Sequence, residues 1–384
     1  MGSVFTNLIN KLHPKKVAPC TSATSSIALI GGQYWTSAGI KTGDIILDRT
    51  LIHSIGILEK SNDINELDVS SRLVTPGLID SWHPLHEDNI PPMMPGPYLD
   101  RLRREEAINR NKPEALSNSA KIPVQKLIDK GVVNCLLNGV TAAASPVVRN
   151  EEYVKLRMLK SRWIEALLWE KNPKRILAKS DDVPIIVSAA DGTGRSAIRE
   201  IAQLDSMGAI SDKLMICGGA GLSRTDAEKL AQAGAYLIWQ PLVDRFVLGQ
   251  TIPPEVFEVR DLKVLIGAGS TRDGGDGLLA AMQAADRFGY LDRSSLINAV
   301  TAVPAQAFNL MTGKIEPGYL ADLAVWSADS FEEAIFVKGR EALELVIVDG
   351  IVVLAREKWI KKFGQGQNFY PVKEAEGFWG LFEV

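Results

Sequence analysis

The sequence predicts an α/β protein, built as a (β/α)8-type (TIM-like) barrel with a small β-sandwich attached. Apolar runs alternate with helical patterns through the middle of the chain, which indicates βαβ units around a parallel sheet. β-rich segments precede and follow that middle part. The 384 residues are enough for a barrel of ~250 residues and a second, smaller unit.

The composition excludes several classes of protein. With 46% hydrophobic and 23% charged residues, the chain is an ordinary globular protein rather than a disordered or disulfide-based one. A net charge of -3 argues against a nucleic-acid surface, and no apolar run approaches the ~18 residues of a membrane helix. Three widely spaced cysteines without a CxxC pair fit a reducing, cytoplasmic location. We therefore expect a small-molecule substrate and neither a nucleic-acid nor a membrane partner.

The chain divides into four predicted regions. Short strands with Gly-containing turns fill residues 26–60, and the runs ADLAVWSAD and LELVIVDGIVVLA follow near the other end, with Asp349-Gly350 as a hairpin turn. These two β-rich parts are expected to build the sandwich together. The regions are 1–25 (N-terminal extension), 26–75 with 310–356 (small β-sandwich), 76–309 (barrel) and 357–384 (aromatic C-terminal tail).

Seven apolar runs predict the barrel strands, one fewer than a complete barrel of this type contains. The interval between 145 and 183 is short for the units that it should hold. Either one strand is disguised there or the barrel is reduced by one unit. The runs are TPGLID (75–80), GVTAAAS (139–145), RWIEALLWE (162–170), VPIIVSAAD (183–191), KLMICGG (213–219), AYLIWQ (235–240) and KVLIGAG (263–269).

Two segments outside this alternation each have two interpretations. Residues 89–121 are polar and Pro-rich and follow the first barrel strand. They either cover the active face at the strand ends or form a plain surface insertion. The 357–384 tail is rich in aromatic residues, so it packs either on this chain's own barrel or on another subunit. We expect a homo-oligomer.

Four stretches carry a family resemblance: LVTPGLIDSWHPLHED, IIVSAADGTG, LMICGGAGLSRTDAEKLAQAGAYLIWQP, and VLIGAGSTRDGGDGLLAAMQAADR with LINAVTAVPAQAFNLMTGKIEPGYLADLAVW. Together they resemble the barrel strands and the C-terminal part of the amidohydrolase superfamily, in particular its cytosine-deaminase-like branch, over roughly residues 26–356. The resemblance implies a barrel with a β-sandwich built from both chain ends. It also implies one or two divalent metals that activate water for attack on a C–N bond.

The metal ligands that the resemblance implies are absent, because the aligned positions hold residues without a suitable side chain. All four histidines lie at or before position 86. With one residue inserted after Ser81, His83 falls on the first ligand position and His86 lies near the second, but the pair alone makes a weak, open site. We therefore expect no metal and no other cofactor. The aligned positions are Trp82 and Pro84 on the first strand, Ser188 on the fifth, Gly218 on the sixth and Gly269 on the last.

Five residues are candidates for acid–base catalysis: His83, His86, Glu87, Asp191 and Asp273. The two histidines with Glu87 form either a His–carboxylate unit at the reactive face or a Pro-containing loop with local hydrogen bonds. Asp191 aligns with the acid that shuttles protons in the family, or it opens a helix as an N-terminal acid. Asp273 lies in a TRD segment, which lines the pocket mouth in relatives.

Seven residues are candidates for substrate binding. The tryptophans either form an aromatic pocket for a flat ring or fill the space vacated by metal and ligands. Arg272 either binds a substrate carboxylate or pairs with neighbours and shapes its loop. Cys217 packs away from the lumen if Gly218 faces inwards. The seven candidates are Trp82, Glu170, Ser188, Trp239, Gln240, Asp244 and Arg272.

These residues lead to one main hypothesis and two alternatives. The main one is a metal-independent enzyme on an amidohydrolase scaffold, acting on a small, cyclic or flat C–N-containing substrate. It would use His/carboxylate chemistry for hydrolysis or for cyclisation, elimination or isomerisation. The first alternative is a catalytically inactive binding or scaffold protein, and the second, disfavoured by the missing ligands, is a metal-dependent deaminase or amidohydrolase. A cavity lined by His83 or His86 with Asp191 favours an enzyme, whereas a mouth filled by tryptophans favours a scaffold.

Overall fold

The computed structural model describes residues 26–56, 64–88, 90–147, 156–164, 183–360, 362–363, 369–373 and 375–381. The predicted N-terminal extension and the candidate Glu170 lie outside these described residues. Within them, no helix has the length and apolar character needed to span a membrane.

The described strands form a mixed sheet, made from both ends of the chain, and a set of parallel barrel strands. In chain order they are β1 (Ile27–Thr36), β2 (Gly39–Asp48), β3 (Leu51–Gly56), β4 (Asn65–Asp68), β5 (Leu73–Pro76), β6 (Leu78–Asp80), β7 (Val140–Ala143), β8 (Arg157–Met158), β9 (Arg162–Ile164), β10 (Ile185–Ala189), β11 (Leu214–Gly218), β12 (Tyr236–Trp239), β13 (Lys263–Ile266), β14 (Leu323–Trp326), β15 (Leu343–Val348), β16 (Ile351–Arg356), β17 (Tyr370–Pro371) and β18 (Phe378–Gly380).

The mixed sheet has the order β17-β18-β16-β15-β14-β5-β1-β2-β3, with β4 beside β1. The predicted Asp349-Gly350 turn joins β15 to β16, and both residues have positive φ (51° and 73°), as a two-residue hairpin turn requires. The tail strands β17 and β18 extend the sheet next to β16. Trp359 is buried in the core of this sheet. The described part of the tail therefore packs on its own chain, against the terminal sheet.

The barrel strands run parallel in two groups, β6-β7-β8 and β13-β12-β11-β10-β9. Strands β8 and β9 lie three residues apart in one segment, 157–164, which pairs with β7 on one side and with β10 on the other. At the other junction, the Ser81 amide donates to the Ile266 carbonyl (3.2 Å) and the Gly269 amide to the Trp82 carbonyl (3.1 Å). These bonds bring the first and last barrel strands together.

The described barrel residues therefore occupy seven strand positions, in agreement with the seven apolar runs in the sequence. The third run, RWIEALLWE, forms a strand only over Arg162–Ile164, and its remaining residues lie outside the described part. Because β9 pairs directly with β10, the reduced form of the barrel is the one that the described residues show.

The described helices pack around these strands. The excursion after β6, which the sequence places at 89–121, contains two of them. The helices are α1 (Arg101–Asn111), α2 (Pro113–Ser119), α3 (Val124–Leu136), α4 (Arg195–Ile198), α5 (Glu200–Ser206), α6 (Arg224–Gln232), α7 (Pro241–Leu248), α8 (Pro254–Phe257), α9 (Gly277–Phe288), α10 (Arg293–Asn298), α11 (Ala302–Ala307) and α12 (Glu357–Ile360).

Side chains alternate between the barrel lumen and the helix layer along each strand. Met215, Cys217 and Ile238 belong to the inner cluster, whereas Ile216 and Trp239 pack with the helices. The expectation that Cys217 points away from the lumen is therefore wrong, because the residues of β11 alternate in the opposite phase. Trp239 was expected to face the barrel mouth and instead faces the helix layer.

A buried ion pair joins the barrel to the terminal sheet. The Arg157 guanidinium donates to both oxygens of Asp322, at 2.8 and 3.1 Å, and also contacts Asp349. Asp322 is fully buried, so its charge depends on this partner. Burial raises the pKa of Asp322, although Arg157 opposes that effect.

We predict that Arg157→Met lowers the free energy of unfolding by about 3 kcal/mol, because it leaves the Asp322 charge buried without its partner. The double variant Arg157→Met/Asp322→Asn should recover part of that loss. Urea denaturation measures both. Arg224→Met, which removes the exposed ion pairs with Glu228 and Glu258, is the control and should lower the stability by about 1 kcal/mol or less. Equal losses for the two arginine variants would contradict the assignment.

Candidate active site

The loop after β6 places His83 between two carboxylates. Its Nδ1 lies 2.8 Å from Asp80 Oδ2 and its Nε2 lies 2.6 Å from Asp88 Oδ2. Burial lowers the pKa of His83, but Asp88 and Asp80 outweigh it and raise the pKa well above the usual value. The side chain is 1% exposed and both of its ring nitrogens face carboxylates, so the imidazolium ties the loop together. This agrees with the second interpretation of the loop, in which the histidine makes local hydrogen bonds, and a catalytic role for His83 stays a prediction.

One buried group in the described residues has the composition of a metal site: Asp80, His83 and Cys135. The Cys135 sulfur lies 3.4 Å from His83 Nδ1. Burial raises the pKa of Cys135 to about 11, which keeps it as a thiol. Because a metal ligand must be the thiolate and the Nδ1 atom already faces Asp80, the present arrangement suits a protonated histidine better than an ion.

His86 and Glu87 follow on a single 3₁₀ turn and have pKa values shifted in opposite directions. Burial, reinforced by Arg272, lowers the pKa of His86 to about 4, and its Nδ1 is buried without a hydrogen-bond partner among the described residues. Burial raises the pKa of Glu87 to about 7, against the effect of Arg272. The Ser270 hydroxyl donates to Glu87 (3.0 Å), and Arg272 lies 3.4 Å away. These shifts favour an uncharged imidazole at His86 and bring the pKa of the Glu87 carboxyl group toward neutral pH.

Asp273 remains ionised because arginines surround it. Arg104 donates to it at 2.6 Å, Arg101 at 3.2 Å, and Arg272 lies 3.6 Å away. Burial alone would raise the pKa of Asp273, but these three cations lower it. Arg272 also pairs with Glu105 at 2.5 Å, so it shapes this network of neighbours rather than standing free for a substrate.

Arg101 is the residue that brings separate strand ends together. Its guanidinium contacts Asp191 and Asp273 and donates to the Gln240 side-chain carbonyl at 3.1 Å. Ser188 donates to Asp191 at 3.1 Å. Burial raises the pKa of Asp191, although Arg101 and Ser188 oppose the shift.

The remaining predicted binding residues lie apart from this charged group or inside the core. Trp82 is buried and stacks on Trp163, with ring centroids 3.9 Å apart. Trp239 donates through its indole N–H to Thr251 (2.6 Å), whose hydroxyl donates to Asp244 (2.8 Å). Burial raises the pKa of Asp244 well above its usual value. In this structure Trp239 packs in the helix layer, and the second oxygen of Asp244 is buried without a hydrogen-bond partner among the described residues. The substrate contacts expected for these two residues stay predictions.

Sequence reasoning missed the arginines of α1 and the partner of Trp82. Arg101, Arg104 and Glu105 come from the run LDRLRREE, within the excursion that was expected either to cover the strand ends or to be a surface insertion. Their contacts with Asp191 and Asp273 favour the first interpretation. The density of charge in this run was the available signal, but nothing in the sequence pairs it with particular carboxylates.

The side chains at the strand ends do not fit the metal centre that the family resemblance implies. Trp82 is stacked in the core, Ser188 donates its hydroxyl to Asp191, and Gly218 and Gly269 bring no ligand atom. The Arg101 guanidinium lies among the acidic groups that remain. A cationic side chain repels a divalent cation at that place.

Glu200 supports the backbone next to Asp191 and gives a test of this electrostatic description. Its carboxylate accepts the Ala190 N–H at 2.7 Å, and burial raises its pKa to about 7. The folded protein therefore keeps a proton on Glu200 that the unfolded chain loses near pH 4.5. Protonated Glu200 favours folding at low pH, and this contribution is lost as the pH rises through about 7.

We predict that the free energy of unfolding of Glu200→Gln, relative to that of the wild type, rises by on the order of 3 kcal/mol between pH 4.5 and 8. The reason is that the amide keeps the hydrogen bond without acquiring a charge. Urea denaturation across this pH range measures the difference. Glu106→Gln, at an exposed position of α1, should show no such pH trend. Parallel stability curves for the Glu200 variant and the wild type would refute the shifted pKa.

Comparison with known proteins gives a family match over part of the chain and a shared fold. The model of the amidohydrolase family matches residues 256–353. An adenosine deaminase from Xanthomonas campestris with bound zinc superposes with a TM-score of 0.73 at 13% identity, covering 85% of this chain and 92% of that chain. An atrazine chlorohydrolase from Arthrobacter aurescens gives 0.64 at 15% identity, covering 85% and 95%.

No curated protein matches the sequence. The structural similarity lies below 25% identity and shows the fold, which is that of an α/β barrel of the TIM type. The family match adds the sequence pattern of the last barrel units and the strand that follows them. Together they support a hydrolase-like protein. The cytosine-deaminase-like branch stays an expectation from the sequence. The chain is therefore similar to the amidohydrolase family in the pattern of residues 256–353, and it shares a barrel fold with the superposed structures.

Proposed function

We propose that this protein is a metal-independent enzyme on an amidohydrolase scaffold, using Glu87 for acid–base catalysis on a small C–N-containing substrate. The carrying observation is the arrangement of one turn: Glu87 accepts from Ser270 at 3.0 Å and from Arg272 at 3.4 Å, and the neighbouring His86 has a buried Nδ1 without a partner among the described residues. Burial shifts the pKa values of the two residues in opposite directions. Pairs of titratable groups pushed apart in this way are typical of sites that divide acid and base roles.

Glu87 has the properties of a group that exchanges protons at neutral pH. As a carboxylate it takes a proton from an attacking water, while the water oxygen bonds to the substrate carbon. As a carboxylic acid it returns that proton to the leaving nitrogen when the C–N bond breaks. The same two states serve an elimination, a cyclisation or an isomerisation, in which the proton comes from the substrate instead of water.

The neighbours of Glu87 define the rest of the reaction environment. Neutral His86 offers a buried Nδ1 without a partner among the described residues, so it can accept or donate one hydrogen bond to a substrate. Arg272 stabilises the carboxylate form of Glu87 from 3.4 Å. Ser270 orients that carboxylate. His83 fixes the conformation of this loop through its contacts with Asp80 and Asp88.

The substrate class follows from the fold neighbours and remains part of the proposal. Their names point to adenosine, a triazine and atrazine, all of which contain flat nitrogen rings. We propose a small, flat or cyclic C–N compound for this chain as well. A cytoplasmic location completes the proposal, on the grounds of cysteine usage. The homo-oligomer stays a prediction from the sequence, because the described part of the aromatic tail packs on its own chain.

The second candidate is a catalytically inactive binding or scaffold protein. The stacked pair Trp82–Trp163 in the inner core favours it, as does the pairing of Asp191 and Asp273 with arginines. Such a protein would bind a ligand at the strand ends without converting it. Turnover separates the two candidates.

Metal independence predicts that protein purified without chelators carries less than about 0.1 equivalents of zinc, iron or manganese, since the aligned positions offer too few ligands. Elemental analysis by mass spectrometry measures the content. Dialysis against a chelator should leave both the melting temperature and any turnover unchanged. A stoichiometric metal that is lost together with activity would restore the metal-dependent alternative.

Acid–base catalysis by Glu87 predicts that Glu87→Gln lowers kcat by at least ~100-fold on whichever member of a panel of flat nitrogen-ring amines and cyclic amides the wild type converts. The wild-type rate should change with an ionisation near pH 7, the pKa of Glu87. Glu106→Gln is the matched surface control. Saturable binding of panel compounds without any turnover would instead favour the inactive binding protein.

A further inference from the structure

We propose that Arg101 is a tethered cation that fills a latent divalent-cation site at the mouth of the barrel. The proposal does not depend on Glu87 chemistry, because it concerns the other end of the charged network. In this chain the Arg101 side chain supplies, at the barrel mouth, the positive charge that a metal ion would supply in a metal centre.

Three nitrogens of one guanidinium contact three different strand ends. Nε contacts Asp191, which follows β10, and Nη1 lies 3.2 Å from Asp273 Oδ2, beyond β13. Nη2 donates to Gln240 Oε1 at 3.1 Å, immediately after β12. Cys217 on β11 lies 3.3 Å from the same Gln240 oxygen. The guanidinium therefore contacts groups at three strand ends, and Cys217 on a fourth strand is linked to it through Gln240.

These groups need a cation for electrostatic reasons. Asp191 and Asp273 are both buried, and each carries like charge toward the other. An unpaired buried carboxylate is strongly unfavourable, so the site requires either a positive partner or protonation. Arg104 already pairs with the other oxygen of Asp273, whereas the Asp191 oxygen that faces the network has Arg101 as its charged partner.

The backbone holds Arg101 in this place. Asp100 caps α1 by accepting the Arg103 N–H at 2.8 Å and forms a bridge with Gly192, the residue after Asp191. A side chain at Gly192 would collide with the Leu99 carbonyl, since its Cβ would lie 2.5 Å away. The start of α1 is thus docked directly against the loop that carries Asp191, and the guanidinium comes with it.

Removal of the guanidinium would leave oxygen ligands suited to a hard divalent ion. Two carboxylates and an amide carbonyl, completed by water, form a ligand set that suits Mn²⁺. The oxygens are spaced for a guanidinium, so water molecules would fill the remaining distance to an ion. The Arg101 side chain is 26% exposed, which gives solvent and ions a path to the position.

The test compares Mn²⁺ binding to the full-length wild type and to Arg101→Ala by isothermal titration and by electron paramagnetic resonance. We expect Arg101→Ala to bind one equivalent at least tenfold more tightly than the wild type. Adding Asp191→Asn to this variant should abolish the gain. Methylguanidinium should compete with Mn²⁺ in the variant and raise its melting temperature saturably.

Arg103→Ala is the matched control, because Arg103 lies on the same helix with an exposed side chain. It should bind Mn²⁺ like the wild type. If Arg101→Ala folds poorly alone, folding restored by Mn²⁺ or methylguanidinium carries the same prediction. A folded Arg101→Ala that gains no Mn²⁺ affinity, or a poorly folded one that neither ion rescues, would overturn the proposal. If no turnover depends on Glu87 but Arg101→Ala still binds Mn²⁺ more tightly than the wild type, only the proposed function is contradicted.

Discussion

The compensation of buried negative charge at the strand ends is the constraint on which this structure depends. Asp80, Asp191 and Asp273 are all buried where the parallel strands finish. Carboxylates there are tolerated only when cations or strong donors accompany them. A protonated histidine accompanies Asp80, and arginines accompany the other two. The loops around the mouth follow from these pairings.

The same constraint explains why the site has two different parts. Asp273 lies among three arginines, which lower its pKa, whereas Glu87 shares one of them and its pKa is raised by burial. The difference lies in the number of cations within reach of each carboxyl group. A fold that places fixed arginines on the excursion after the first strand can therefore hold one carboxylate charged and leave another free to exchange a proton.

The alternation of strands and helices could be predicted from the sequence, because hydrophobic periodicity depends on which face of an element is buried. The count of seven barrel strands was predicted in this way, and the Asp349-Gly350 hairpin turn was predicted from its residue types. The phase of β11 was not readable, since an all-apolar strand such as LMICG gives no polar residue to mark its outer face. The error at Cys217 follows from that.

The site was only partly predictable for a different reason. His86 and Glu87 stood out because they follow the first barrel strand, and Asp273 because of its TRD segment, but their partners come from distant parts of the chain. Arg101 is 172 positions from Asp273, and no local pattern encodes such a contact. For His83 the sequence left two interpretations open, and its contacts with Asp80 and Asp88 match the one with local hydrogen bonds.

In the proposed arrangement the Arg101 guanidinium, not a metal ion, supplies the positive charge between Asp191 and Asp273. Anomalous diffraction at the zinc and manganese edges, from crystals grown without chelator, distinguishes the two cations. We expect density for the Arg101 guanidinium between the two carboxylates and no anomalous peak there. An anomalous peak bound to Asp191 or Asp273, with Arg101 displaced toward solvent, would contradict it.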